Sequence, residues 1–312
     1  MTQMIATRDA YGKVLVELGS ENENIVVLDA DLTKSTKTEG FAKKFPGRFF
    51  QMGIAEQDLM ATAAGLAAVG KIPIASTFAV FATGRAYDQI RNSIAYPKLN
   101  VKIVATHAGI TVGEDGGSHQ SIEDISLMRT IPNMTVIVPA DGVEAAQAVR
   151  AAVQWKGPVY IRMGRLAVPV IFDDTYKFQI GKANRLRDGK DVTIIACGIM
   201  VQAALEAAVK LGEQGISAKI LNCASIKPLD EEEIISAAKE TRAIVTAEEH
   251  SVIGGLGSAI AELVAKKYPV PVEMVGIQDE FGQSGTPDEL LKEYGLTAGD
   301  IVTACLRVIA RK

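Results

Sequence analysis

The sequence has little of what marks disulfide-stapled, metal-clustered or membrane-spanning chains. Three cysteines occur among 312 residues, Cys197, Cys223 and Cys305. Their number is odd and no two stand in a CxxC pair, which argues against a disulfide framework or a cysteine zinc site and for buried thiols in a reducing compartment. Histidine is equally scarce, at three residues. No apolar run reaches the roughly 18 residues that a membrane-spanning helix requires. The segment Met1 to Asp9 has no apolar signal core. Acidic residues outnumber basic ones, 37 to 33, and the basic ones are scattered. A chain without a basic stripe lacks the electrostatic footprint of a nucleic-acid binder. There is no low-complexity tract and no short repeat. The expectation is a soluble, cytoplasmic globular protein that binds neither membrane nor nucleic acid.

What is present is an ordinary globular mixture, 48% hydrophobic and 22% charged, long enough for about two domains. Apolar, β-branched runs alternate with amphipathic stretches, the signature of an α/β fold. Buried parallel strands are expected at Asn24–Ala30, Ile72–Thr77, Val101–Thr106, Met134–Pro139 and Val159–Arg162. Helical patterns lie between them at Arg8–Leu18, Glu56–Ala68, Ala82–Ile94 and Gly142–Val153, the last with Asp141 as N-cap. A less regular, charged stretch from Leu166 to Gly189 holds Pro169 and the pair Asp173 and Asp174, and ends in a turn signal. A second alternating set follows. Strands are expected at Val192–Cys197, Ser217–Asn222, Ala243–Ala247 and Val272–Val275, and helices at Val201–Gln214, Asp230–Glu240 and Leu256–Lys267. The expectation is two open α/β sheet domains, mainly parallel in the first, covering residues 1–175 and 176–312.

The residues able to carry chemistry cluster in the first domain. His107 and His119 flank AGITVGEDGGSHQ, which follows a predicted strand and therefore starts at the carboxyl end of the sheet. Ligand crevices of open α/β sheets form there, and its glycines permit tight turns and close approach. The bland reading is a surface loop whose histidines do nothing. Glu56 opens a helix that is almost wholly apolar afterwards, hence buried; it is either a helix N-terminal charge or a proton-active carboxylate facing an interior. Phe78 and Phe81 follow a strand, with the spacing of a core aromatic pair. Arg8, Arg85, Arg91, Arg162 and Arg165 are cations able to grip an oxyanion through a planar fork, or plain surface charges. Ser35 follows a strand end and offers either a hydroxyl to an anion or a helix cap.

Read in order, GIAEQ, STFAVF, THAGITVGEDGGSHQ, IPNM and VPAD resemble the pyrimidine-binding domain of transketolases. LNCASIKPLD, TAEEHSVIGGLGSAIAE and FGQSGTPDELLKEYGLT resemble that family's C-terminal domain, so the resemblance covers essentially the whole chain. It implies transfer of a two-carbon ketol unit from a ketose to an aldose, with thiamine diphosphate as cofactor and phosphorylated sugars as substrates. Glu56 matches the glutamate that hydrogen-bonds the cofactor's aminopyrimidine ring and favours its imino tautomer. Phe78 and Phe81 match the aromatic wall of that ring. Gly84 stands where a third aromatic is often found, with Tyr87 nearby. His119 would contact oxygens near the reacting carbon, Asp115 a sugar hydroxyl, and His107 the far end of the sugar. Arg8, Ser35 and Arg165 fall where the family binds phosphate, although the IRMGR segment departs from the family pattern and Arg162 lies close by. Glu56, His107 and His119 make up the expected catalytic set. His250 reads as structural or interfacial.

The family's diphosphate-binding domain, with its GDG…N magnesium motif, has no counterpart here: the sequence contains no GDG. The resemblance therefore implies an N-terminal partner subunit carrying that domain and the Mg2+ ligands, in an α2β2 assembly. Three other readings compete. A deoxyxylulose-phosphate synthase shares the GEDGxxH loop but normally has a second histidine where Gln120 stands. The β subunit of a 2-oxoacid dehydrogenase shares the domain order without the GEDGGSHQ loop. A non-catalytic scaffold would have no need for Glu56, both phenylalanines, both loop histidines and Asp115 together.

Overall fold

The computed structural model describes residues 3–173 and 175–312; Met1 and Thr2 of the N-terminal segment and Asp174 of the connecting stretch lie outside the described residues. The first half runs β1 (Met4–Ala6), α1 (Thr7–Glu21), β2 (Ile25–Asp29), α2 (Thr33–Thr36), α3 (Glu39–Lys44), β3 (Phe49–Gln51), α4 (Glu56–Ala68) and β4 (Ile72–Phe78). It continues through β5 (Lys102–Thr106), α5 (Asp124–Thr130), β6 (Thr135–Ile137), α6 (Gly142–Gln154), β7 (Val159–Arg162) and β8 (Ala167–Pro169). The second half contains β9 (Asn184–Arg187), β10 (Val192–Ala196), α7 (Met200–Glu213), β11 (Ala218–Asn222), β12 (Ser225–Lys227) and α8 (Glu231–Thr241). After these come β13 (Ile244–Ser251), α9 (Leu256–Lys267), β14 (Val272–Ile277), α10 (Pro287–Glu293) and α11 (Ala298–Ile309).

Among the described residues two open sheets and a small antiparallel pair, β1 with β8, result. The larger has the order β12-β6-β7-β5-β4-β2-β3 and the smaller β14-β13-β10-β11-β9. Pairing within the larger is parallel except for β12 on β6. In the smaller it is parallel except for β9 on β11. The α/β expectation follows from the composition of the central strands: β2, β5 and β7 are buried at every position. Strands covered on both faces read as continuous apolar runs rather than alternating ones. Tyr11, Val14 and Leu15 of α1 and Ala145, Ala148 and Val149 of α6 pack on one face. Leu59 and Met60 of α4, with Ile90 and Ile94, pack on the other. The predicted cap holds: Asp141 accepts a hydrogen bond from the Glu144 amide at 2.8 Å.

Two departures from the sequence reading have physical causes. The expected helix over Ala82–Ile94 is instead two wide π-type turns, Phe81–Arg85 and Gln89–Ala95. Such turns have the same apolar spacing as an α-helix over so short a span, and they recur at functional sites. The sheets are also not segregated by sequence. Ser225 and Lys227 of β12, from the second half, pair antiparallel with Ile137 and Val136 of β6. Lys227 fastens this edge by donating to the Arg129 and Ile131 carbonyls at 2.8 and 2.6 Å.

The seam between the halves buries ionisable groups. Glu144 on α6 accepts from Asn222 on β11 at 2.7 Å and from the Tyr176 hydroxyl, and burial pushes its carboxyl up to about 7. His250 on β13 accepts from the Ser126 amide of α5 through Nε2, so its proton sits on Nδ1 and is donated to the Ser251 carbonyl at 2.7 Å. Burial pulls this imidazole down to about 4. His250 is buried where β13 meets α5.

The two groups tilt the pH dependence of stability in opposite senses. Unfolded histidine binds a proton below pH ~6.5 that folded His250 refuses until about 4, so it costs stability progressively as pH falls. Folded Glu144 keeps its proton up to about 7, whereas the unfolded residue releases it near 4.5, so its contribution is lost as pH rises. Relative to the parent, His250→Gln should gain stability at pH 5 over pH 7, and Glu144→Gln should lose it. The tilt approaches about 1.4 kcal/mol per pH unit for a full proton. Urea midpoints at pH 5, 6 and 7 read it directly; three parallel profiles would overturn the assignment.

Candidate active site

The candidate residues gather at the carboxyl edge of the larger sheet, outside adjacent parallel strands. Phe78 is the last residue of β4, and Thr106 is the last of β5, with His107 next. Arg8 stands in the first turn of α1, Ser35 in α2, and Arg165 just beyond β7. Open α/β sheets collect ligand groups in this place because loops there are freed from the ladder while the strands fix their origins.

His107 is the centre of the cluster. Its backbone takes φ 57°, a left-handed conformation rare for a non-glycine residue and typical of functional sites. Its ring stacks on Phe78 with centroids 3.8 Å apart and planes 24° from parallel. Arg8 Nη1 lies 3.1 Å from Nε2, and a guanidinium only donates, so Nε2 accepts. The proton of the neutral ring therefore sits on Nδ1 and is donated to Thr106 Oγ1 at 2.9 Å. Burial, followed by the positive charges of Arg8 and Arg165, pulls this imidazole down to about 3. Arg8 also donates to the main-chain carbonyl of Ser35 at 3.1 Å, and its buried Nε has no partner among the described residues.

The glycine-rich loop carries the remaining groups. It turns through left-handed φ at Gly109, Gly113 and Gly116. Gln120 ties it together, donating to the carbonyls of Ile110, Gly113 and Gln283 at 3.1, 3.2 and 2.9 Å. Arg165 lies 3.5 Å from the Asp115 carboxylate and 3.9 Å from that of Glu114. His119 sits edge-on to Phe81 at 5.3 Å and to Phe78 at 6.5 Å, and its Nδ1 meets Ser118 Oγ at 3.0 Å. Phe78 and Phe81 are themselves near-parallel, 5.8 Å apart. Across this aromatic group, Glu56 opens α4 with a buried carboxylate 3.2 Å from Arg85 Nη1. The Arg85 guanidinium lies over the Phe81 ring at 4.1 Å.

The structure thus brings together Arg8, Ser35, Glu56, Phe78, Phe81, His107, Asp115, His119 and Arg165, with Ser35 contributing its main-chain carbonyl. Arg85 joins this group through Glu56 and Phe81, whereas Arg162 and Arg91 are held apart from it. Arg162 is buried against Asp124 at 2.9 Å and donates to the Ser121 and Glu249 carbonyls, so it is not free for a ligand. Arg91 is exposed and bonded to Asn92. Sequence reasoning missed Thr106 and Glu249. A carboxylate inside a buried strand was the available signal for Glu249, because such a charge has to find partners.

With this geometry in hand, similarity to known proteins defines the class. Residues 3–170 match the transketolase pyrimidine binding domain, and residues 181–301 match the transketolase C-terminal domain. The chain belongs to the transketolase family and comprises those two domains in that order. It is 54% identical over 297 residues to a protein of Methanocaldococcus jannaschii named as a transketolase C-terminal section, covering 94% of this chain and 93% of that one. It is 47% identical over 305 residues to a 6-deoxy-6-sulfo-D-fructose transketolase subunit of a Clostridium species, covering 98% and 95%. Among solved structures, a split-gene transketolase described as an inactive β4 tetramer superimposes with a TM-score of 0.93 at 60% identity, covering 98% and 99%.

Gly109 tests how the loop is set. A Cβ there would lie 2.2 Å from the Glu249 carboxyl carbon, and φ is 81°. Gly109→Ala should cost about 1–3 kcal/mol through backbone strain alone, more if Glu249 cannot yield. Urea denaturation unchanged from the parent would show that the loop is not seated on Glu249.

Proposed function

We propose that this chain is the C-terminal subunit of a two-chain, thiamine-diphosphate-dependent transketolase that moves a two-carbon ketol unit from a ketose to an aldose. The observation that carries this reading is the convergence of a buried carboxylate, Glu56, with the faces of Phe78 and Phe81 beside two histidines and two arginines. A flat aminopyrimidine needs a π-face to stack on and a carboxyl at its edge, and these residues fit that chemistry. Thiamine diphosphate, when bound, supplies the carbanion chemistry that carries the two-carbon unit.

The chain's own residues then divide the work. Glu56 holds a proton at the ring edge, and Phe78 and Phe81 orient the ring. His119, half-buried at the loop's end, faces oxygens near the reacting carbon. Asp115, bridged to Arg165, takes a sugar hydroxyl. Neutral His107 accepts at Nε2 rather than adding charge, so Arg8 and Arg165 provide the cationic pull on a terminal oxyanion. The relative named for a sulfo-sugar supports reading that group as any tetrahedral oxyanion, phosphate or sulfonate. The names of relatives as subunits and sections support a partner chain bearing the diphosphate-binding domain and the Mg2+ ligands, in an α2β2 assembly. The competing readings, a 2-oxoacid dehydrogenase β subunit and a deoxyxylulose-phosphate synthase, would instead consume a 2-oxoacid.

The test begins with a tagged pull-down of this chain from its native lysate, with co-purifying chains identified by mass. The eluate is assayed for ketol transfer to ribose 5-phosphate with thiamine diphosphate and magnesium added. A partner carrying GDG…N and transfer activity are expected. Glu56→Ala in the reconstituted enzyme should lower turnover by roughly 10²–10⁴-fold, the usual worth of a placed proton-transfer group, with the fold intact. Undiminished activity in that variant would sink the assignment.

A further inference from the structure

We infer that Arg85 occupies the place of the cofactor's pyrimidine in the chain on its own, as a guanidinium stand-in that the cofactor has to displace. The inference rests on the reading of Glu56 and Phe81 given above. Arg85 makes two contacts at once: its planar cation covers the Phe81 ring at 4.1 Å, and its Nη1 meets Glu56 Oε1 at 3.2 Å. These are the two contacts that an aminopyrimidine takes from the same residues, face to an aromatic and edge to a carboxylate. A guanidinium is flat with in-plane N–H donors, so it fills the same ring face and carboxylate edge, donating to Glu56 where the pyrimidine nitrogen would accept from the protonated carboxyl. Two flat groups cannot hold the same ring face and the same carboxylate oxygen together.

The surroundings suit displacement rather than permanent occupancy. Arg85 ends the wide turn Phe81–Arg85, and only its backbone is pinned there, through the Gln57 side chain on its carbonyl at 3.1 Å. The side chain is 53% exposed, whereas the Glu56 side chain is 6% exposed. The mobile partner is therefore the arginine and the fixed one is the carboxylate. A Cβ added at the preceding Gly84 would meet nothing within 4 Å, so the backbone beside Arg85 is uncrowded. A half-exposed ion pair with a cation–π contact is weak, which keeps the pocket filled without sealing it. Gly84, where a third aromatic wall is expected, gives Arg85 access to the Phe81 face.

The experiment uses the full-length chain without its partner and 4-amino-5-hydroxymethyl-2-methylpyrimidine as the probe, titrated by ligand-observed NMR. Arg85→Ala should bind the probe about tenfold tighter than the parent, the size of a lost competitor worth about 1.4 kcal/mol. Circular dichroism confirms that the variant is folded. Arg85→Lys, which keeps the charge and loses the flat fork, should fall between the two. Equal or weaker binding to Arg85→Ala, or none measurable, would overturn the inference and make Arg85 part of the wall. Glu56→Ala and Phe81→Ala separate the two questions. If they weaken binding while Arg85→Ala does not strengthen it, only the stand-in fails. If they leave measurable binding untouched, the pyrimidine site itself is misplaced and the inference falls with it.

Discussion

The position of the candidate site depends on the neutralisation of one buried cation. Arg162, at the end of β7, has almost no access to solvent and is held between Asp124 on α5 and Glu249 on β13, with main-chain carbonyls taking its remaining donors. A guanidinium in that setting cannot shed its charge, so both carboxylates have to be delivered to it. Asp124 belongs to the first half and Glu249 to the second, and the two halves are thereby locked in one relative register. Glu249 then accepts from the Thr111 amide at 2.7 Å and fills the space that a side chain at Gly109 would need. The glycine-rich loop is seated by the second half before any ligand arrives. Buried ion pairs are seldom net stabilisers, but they specify a unique arrangement well, and here the arrangement is that of the loop.

Much of this was legible in the sequence. The alternation of apolar runs with amphipathic stretches gave the two sheets and most strand positions, because strands covered on both faces leave a strong compositional trace. Glu56, Phe78, Phe81, His107 and His119 stood out because their local contexts, a charge opening an apolar helix and histidines in a glycine loop after a strand, have few bland explanations in combination. Burial of a Lys or Glu inside a strand is visible as well, but its partner is not. Thr111 and Glu249 are 138 residues apart, and nothing local to either announces the contact. The same holds for β12, which is too short for periodicity to register and crosses from one half of the chain to the other sheet. The wide turns after Phe81 escaped because their spacing of apolar residues is shared with an α-helix.

The site is also electrostatically asymmetric in a way that composition conceals. The chain is acidic overall, with net charge −4, yet Arg8 and Arg165 converge on neutral His107 at the sheet edge. Burial above all keeps His107 neutral, assisted by the same two arginines that would otherwise compete with it for an anion. A neutral imidazole accepting from Arg8 aims that guanidinium rather than repelling it. The buried Nε of Arg8 remains without a partner among the described residues, and an unpaired buried donor costs about 1–3 kcal/mol. A fold that only needed Arg8 for packing would have gained by giving that group an acceptor.

These features set the strained edge of the larger sheet apart from its packed core. Backbone strain at His107 and in the turns around Gly109 and Gly113, together with the unpaired Arg8 Nε, sits on one edge of the larger sheet, while the apolar faces of α1, α4 and α6 pack on that sheet behind them. Local instability of a few kcal/mol at an edge is tolerated when the sheet behind it is closed on both faces. The second half of the chain contributes to this in two ways: it lengthens the first sheet with β12, and through Glu249 and His250 it holds the glycine-rich loop and α5. The C-terminal half is thus a scaffold for the candidate site residues of the first, and the geometry of that edge is set within this chain.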